Sequence, residues 1–155
     1  MWQEAFPRVL DRFRPDAVFL LAGTDAIGHD PLGKLALTTQ GWLAVCADVL
    51  RDTPRHADGS ARLLATGGGG YHPLVVARAW TGLWGLLSGR TLPAALPAEG
   101  AAALKESGWE LDEDEAHFAQ FFMRRLAADP PPAPPRPEIV QLARAVAEHP
   151  YFRRT

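Results

Sequence analysis

The chain has 155 residues, a formal net charge of −2 and one cysteine, Cys46. The near-neutral charge argues against nucleic acid or an anionic membrane as the partner, and a single cysteine excludes an internal disulfide framework. No apolar run reaches the roughly 20 residues that a membrane span needs, and the first residues do not resemble a signal peptide. The sequence therefore predicts a cytoplasmic protein in which Cys46 is buried and inert.

Helices alternate with short apolar strands over the first part of the chain. Both strands are continuous apolar runs, which is typical of strands buried on both faces of a parallel sheet. Thr39 is the expected cap of the second helix. The predicted elements are, in chain order, a helix over residues 2–14, a strand over 17–22, a helix over 39–51, a strand over 62–66 and a helix over 73–88. Two strand–loop–helix units predict an α/β fold, a partial parallel sheet flanked by helices.

Two strands alone do not make a stable parallel sheet. An isolated pair would leave both edges and much of each face uncovered. The sequence therefore predicts further strands, supplied by an upstream portion of the chain or by a partner. For the same reason, the isolated chain is expected to be poorly soluble or oligomeric.

The character of the sequence changes from Gly89 onwards, and we place a domain boundary at residue 100. Residues 1–100 are predicted to belong to the α/β domain, and residues 101–155 to form a helical, proline-rich C-terminal extension. Helical periodicity and proline density divide the extension into three predicted parts. These are an amphipathic helix over residues 112–127, an extended spacer over 129–137 and a short last helix over 139–148.

The loop after the first strand carries potential metal ligands. Loops at the carboxyl ends of strands line the crevice in which open α/β sheets bind ligands. Asp25, His29 and Asp30 offer oxygen and nitrogen atoms of the kind that zinc accepts. The alternative is that these residues build Asx turns, which an aspartate before a proline also favours.

The same loop partly matches a nucleotide-binding motif. Residues 28–34 fit the first seven positions of a phosphate-binding P-loop, but Leu35 stands where a Ser or Thr would bind magnesium. Pro31 also lacks a backbone N–H, and Asp30 would repel phosphate. A nucleotide-binding module is therefore the weakest of the alternatives.

The loop after the second strand consists of four glycines, Gly67–Gly70, followed by Tyr71. Glycine lets a ligand approach the backbone closely. The hydroxyl of Tyr71 could donate a hydrogen bond to negative charge that develops during a reaction. Alternatively, the ring packs at the edge of the sheet and leaves its hydroxyl in water.

Taken together, the two loops resemble the histone deacetylase family, and within it the bacterial acetoin-utilisation-type deacetylases. The matching stretches are Arg-Pro-Asp-Ala-Val at 14–18, Gly-Thr-Asp-Ala-Ile-Gly-His-Asp-Pro-Leu-Gly at 23–33, Leu-Thr-Thr at 37–39, Gly-Gly-Gly-Gly-Tyr at 67–71 and Val-Ala-Arg-Ala-Trp at 76–80. Their order and spacing agree over about residues 13–97.

The resemblance implies an arginase–deacetylase fold and a zinc ion held by two aspartates and one histidine. It places the second aspartate at Asp30 and the transition-state tyrosine at Tyr71. Asp25 would orient ligands near the metal, and Gly69 and Gly70 would support the tyrosine. The implied reaction is hydrolysis of acetyl-lysine or a related acetyl amide, so the implied partner is an acetylated protein or a small acetylated amine.

The family's paired histidines and its Asp-x-His motif lie upstream of the matching region, and neither pattern occurs in these 155 residues. One carboxylate cannot make a three-ligand catalytic zinc site. The sequence therefore predicts the C-terminal part of a deacetylase, inactive as this chain alone. The alternatives are a catalytically inactive remnant that associates with another molecule, and a split enzyme in which a complementing chain supplies the histidines.

Overall fold

The computed structural model describes residues 2–106 and 136–152, and its elements follow the predicted order. The helices are α1 Trp2–Phe13, α2 Thr39–Asp52, α3 Pro73–Ser88, α4 Ala98–Glu106 and α5 Pro137–Glu148, the strands are β1 Val18–Leu21 and β2 Leu63–Thr66, and a 3-10 helix covers Pro150–Phe152. The α/β class is confirmed. None of the helices in these described ranges is long and apolar enough to cross a membrane.

The C-terminal region is only partly described. The helix predicted over residues 112–127 and most of the proline-dense spacer lie outside the described residues. The last predicted helix is present as α5, which begins two residues earlier than expected, with Pro137 in its first turn. Helix α4 begins at Ala98, before the start of the predicted extension.

The described residues form two compact units. The first comprises residues 2–20, 47–66 and 136–152, and the second comprises residues 21–46 and 67–106. In the first unit, α1 packs against α5 and the 3-10 helix. The guanidinium of Arg12 lies 4.9 Å from the ring centroid of Tyr151, a cation–π contact between α1 and the 3-10 helix.

The strands β1 and β2 pair in a two-stranded sheet, with the Val18 N–H donating to the Arg62 carbonyl at 2.8 Å. Side chains on successive strand residues point to opposite faces. Phe19 is 63% exposed and Leu64 is 61% exposed, while their neighbours along each strand are partly buried. The prediction that these strands are buried on both faces is therefore wrong for the described residues. An open face agrees with the expectation for two strands alone.

The second unit is built around the start of α2 and the length of α3. Its buried apolar side chains are Ala22, Ile27, Trp42, Cys46, Leu74, Val75, Ala79 and Leu83. Cys46 is buried as expected, and burial raises the pKa of its thiol to about 11. The predicted cap of α2 is wrong by one residue. Thr38 is the cap, because its Oγ1 accepts a hydrogen bond from the Gly41 N–H at 3.0 Å.

Candidate functional site

The loop after β1, residues 23–37, is called the aspartate loop, and the loop after β2, residues 67–72, is called the glycine loop. The two loops lie side by side in the second unit. The Thr24 N–H donates to the Gly69 carbonyl at 2.8 Å. A Cβ atom on Gly68 would lie 3.0 Å from the Cα of Gly23, so the two backbones are in direct contact. Only residues without a side chain allow this approach. The two loops that the sequence singled out therefore form one structure.

Asp30 joins the two loops through its carboxylate. The residue is 6% exposed. Its Oδ1 accepts hydrogen bonds from the N–H groups of Leu32 and Gly33, both at 2.9 Å. Its Oδ2 accepts a hydrogen bond from the N–H of Tyr71 at 2.7 Å. The Asx-turn interpretation thus holds for one oxygen, while the other connects Asp30 to the residue that follows the glycine run.

The environment of Asp30 favours the charged carboxylate. Burial acts to raise its pKa, but backbone N–H groups of Tyr71, Leu32, Gly33 and His72 outweigh burial and hold the pKa below the ordinary value of 3.8. Hydrogen bonds from N–H groups stabilise the anion more than the acid. Asp30 is therefore an anion at neutral pH.

This arrangement predicts a pH dependence for Asp30. A carboxylate whose pKa is lowered on folding stabilises the protein above its unfolded pKa, about 3.9, and this contribution is lost as the pH falls through the lower folded value. We expect Asp30→Asn to lower the free energy of unfolding at pH 7 by about 1–3 kcal/mol, because an amide cannot accept hydrogen bonds at both ends. We also expect the variant to lose less stability than the parent between about pH 5 and about pH 2, the range over which such a carboxylate titrates. Urea unfolding across this pH range measures both effects, and an unchanged pH profile would contradict the role of the charge.

Tyr71 has a fixed backbone and an open side chain. Its N–H is held by Asp30, and the next residue, His72, is the N-cap of α3, with its Nδ1 accepting from the Val75 N–H at 3.4 Å. The tyrosine side chain is 56% exposed. Its ring is therefore not part of the core, and the phenol is accessible to a ligand.

The carboxylate of Asp25 lies against the glycines of both loops. A Cβ atom on Gly69 would lie 2.0 Å from its Oδ2, and one on Gly23 would lie 2.8 Å from its Oδ1. Gly70 has a φ of +146°, and a Cβ there would lie 2.2 Å from the Oγ1 of Thr24. Gly69 and Gly70 thus form the backbone that leads to Tyr71, and the carboxylate of Asp25 packs against Gly69. The part of these three residues in a reaction stays a prediction.

The described residues do not complete a metal centre. Across residues 2–106 and 136–152, no three His, Cys, Asp or Glu side chains lie close enough together to hold a metal ion. His29 and Asp25 therefore do not join Asp30 in a metal cluster. A catalytic zinc ion needs three protein ligands. The described residues offer Asp30 without two further ligands beside it, so they do not form a complete zinc site.

The geometry also weakens the nucleotide-binding alternative. A P-loop binds phosphate through backbone N–H groups that point into the loop. Here the N–H groups of Leu32 and Gly33 donate to Asp30, which brings a negative charge to the place of the phosphate. The N–H groups of Leu32 and Gly33 are therefore already engaged and would not be available to a phosphate.

Sequence reasoning missed one polar contact of this site. Trp42 is buried, and its Nε1–H donates to the Gly23 carbonyl at 2.8 Å. A buried tryptophan usually finds an acceptor for its N–H, so the residue type was a signal. The identity of the acceptor could not be read from the sequence.

Comparisons with known proteins point to one family. The family model for the histone deacetylase domain matches residues 1–87, more than half of the chain. Histone deacetylase clr6 of Schizosaccharomyces pombe is 34% identical over 97 residues, which cover 63% of this chain and 22% of that protein. Histone deacetylase 8 of Xenopus tropicalis is 38% identical over 89 residues, which cover 57% of this chain and 22% of that protein.

Solved structures support the same relationship. The crystal structure of an HDAC homologue from Aquifex aeolicus has a TM-score of 0.73 and 28% identity to this chain, over 94% of this chain and 37% of that one. A structure of an HDAC homologue complexed with SAHA has a TM-score of 0.71. This chain spans less than a quarter of the length of the two curated relatives named above. The match over more than half of its residues shows that the chain belongs to the histone deacetylase family.

Proposed function

We propose that this chain supplies Asp30 and Tyr71 to the active site of a zinc-dependent deacetylase. The observation that carries the proposal is the 2.7 Å hydrogen bond from the Tyr71 N–H to the Asp30 carboxylate. It holds the Asp30 carboxylate against the backbone of Tyr71, whose side chain is exposed, on loops that carry the sequence pattern of the family. The proposed substrate is acetyl-lysine in a protein or a small acetylated amine, and the reaction is hydrolysis of the amide to acetate and the free amine.

Each of the two residues has a distinct part in this proposal. The hydroxyl of Tyr71 would donate a hydrogen bond to the oxyanion that forms when water attacks the acetyl carbonyl. Asp30 would be one of three zinc ligands, and the other two would come from outside the described residues. The carboxylate also fixes the Tyr71 backbone, so one residue would serve both the metal and the oxyanion donor.

The alternative is a partner-dependent or catalytically inactive deacetylase-like subunit. The open sheet face with Phe19 and Leu64 favours dependence on further structure, since large apolar side chains on a strand face are normally covered. We propose that the covering layer is the rest of a deacetylase domain, contributed by the same polypeptide or by a complementing chain. The acetoin-utilisation type and a cytoplasmic location are further parts of the proposal, supported by the sequence pattern alone.

A chimera tests the proposal with the full chain in place. We define the chimera as this chain joined to the part of the Aquifex aeolicus homologue that it does not match. We expect purified chimera to hold about one zinc ion per molecule, and Asp30→Ala to abolish tight zinc binding. Asp58→Ala, which removes an exposed loop carboxylate, is the matched control and should retain zinc.

The zinc content separates the two proposals. Retention of zinc in the Asp30→Ala chimera would contradict the assignment of Asp30 as a ligand. A folded parent chimera without zinc would favour the inactive subunit.

A further inference from the structure

Trp42 connects helix α2 to the aspartate loop. It is 5% exposed and lies in the first turn of α2, and its Nε1–H donates to the Gly23 carbonyl at 2.8 Å. The start of this helix is fixed locally. Thr38 caps it through the Gly41 N–H, and the Trp42 N–H donates to the Thr38 carbonyl at 2.9 Å. The indole therefore projects from a firmly held helical turn.

The carbonyl that Trp42 holds lies at the start of a series of contacts that ends at Tyr71. The residue after Gly23 is Thr24, whose N–H donates to the Gly69 carbonyl at 2.8 Å. Two residues beyond Gly69 is Tyr71, whose N–H donates to the Asp30 carboxylate at 2.7 Å. Three hydrogen bonds thus join the helix to the aspartate loop, the aspartate loop to the glycine loop, and the glycine loop back to Asp30.

The packing between these contacts leaves little space for independent movement. A Cβ atom on Gly68 would lie 3.0 Å from the Cα of Gly23, and a Cβ on Gly69 would lie 2.0 Å from the Asp25 carboxylate. Close-packed backbones transmit a displacement instead of absorbing it. A shift of the Gly23 carbonyl should therefore move the glycine loop as well.

We propose that Trp42 is a positioning residue, whose indole N–H sets the Gly23 carbonyl and thereby the place of Tyr71 relative to Asp30. Its effect on turnover rests on the proposed function. The positioning itself concerns only described residues of this chain and can be measured without a substrate. The indole ring packs in the core whether or not its N–H makes a hydrogen bond. The positioning effect therefore depends on the N–H and not on the size of the side chain.

The decisive variant replaces Trp42 with benzothienylalanine, in which sulfur takes the place of the indole N–H and the ring size is kept. Hydrogen exchange of the full chain, read by mass spectrometry, compares peptides from the two loops with peptides from α3. We expect peptides over residues 23–27 and 68–72 to exchange about tenfold faster, the effect of losing one hydrogen bond, while peptides over 74–87 are unchanged. The same replacement at Trp84, an exposed residue of α3 whose ring faces Arg90, is the control.

Two exchange results would overturn the proposal. Unchanged exchange in both loops would show that the N–H does not hold them. Equal acceleration in the loops and in α3 would show that Trp42 contributes only to general stability.

Turnover of the chimera gives a second readout that distinguishes this proposal from the proposed function. We expect the Trp42 replacement to lower kcat by about tenfold with KM unchanged, because misplacement of a catalytic group affects the chemical step more than substrate binding. A change in KM alone would contradict positioning of Tyr71. Full turnover in a Tyr71→Phe chimera would instead refute the proposed function, and the exchange experiment would still decide the role of Trp42.

Discussion

Replacing Tyr71 with Phe in the chimera is expected to lower kcat for an acetyl-lysine peptide by on the order of 10²–10³, the usual cost of losing one oxyanion donor. The substitution removes only the hydroxyl. Because the hydrogen bond to Asp30 comes from the backbone N–H, the ring and the loop should stay in place. KM should change little, since the oxyanion exists only along the reaction path.

The chain contains a matched control for this experiment. Tyr151, the other tyrosine, is exposed in the 3-10 helix of the first unit. Tyr151→Phe should leave kcat unchanged. Equal turnover in the parent and the Tyr71→Phe chimera would remove Tyr71 from the reaction.

Replacing Gly69 with Ala is expected to cost about 3 kcal/mol in the free energy of unfolding, near the upper end of what overpacking costs. The added Cβ would lie 2.0 Å from the Oδ2 of Asp25, well inside contact distance. The Cγ of Asp25 would also lie 2.6 Å from the added atom, so either the Asp25 side chain or the backbone of the glycine loop must shift. Denaturant unfolding of the chimera measures the loss, and the same shift should lower its turnover.

Gly67→Ala is the control within the same glycine run. Its nearest neighbour would be Cζ2 of Trp80 at 3.9 Å, an ordinary contact. The free energy of unfolding should change by less than about 1 kcal/mol, because alanine mainly reduces the freedom of the unfolded chain there. Equal losses at Gly67 and Gly69 would show that the run needs glycine for general flexibility and not for the approach of Asp25.

The regular elements could be predicted because each has a local signal. Helix α3 matches its predicted range from Pro73 to Ser88, since a proline starts it and Gly89, with a φ of 66°, ends it. The cap of α2 was misplaced because Thr38 and Thr39 are chemically equivalent candidates. The open face at Phe19 was misjudged because apolar composition reports which side chains need cover, and not whether a layer covers them.

The site was predictable in its residues but not in its contacts. Asp30 and Tyr71 stood out as polar groups in loops after strands, and the family pattern marked both. Their hydrogen bond links residues 41 positions apart, through a backbone N–H that carries no sequence signal. The same holds for the hydrogen bond between Trp42 and Gly23, which joins residues 19 positions apart.

Hydrolysis of an acetyl-lysine peptide, compared between the chimera and this chain alone, tests the central claim most directly. We expect the chimera to release acetate and this chain alone not to do so, because its described residues offer Asp30 and Tyr71 without the remaining ligands of a zinc centre. Equal activity of the chain alone would show that it holds a complete site. A folded, zinc-loaded chimera without activity would contradict the claim that Asp30 and Tyr71 serve a deacetylase.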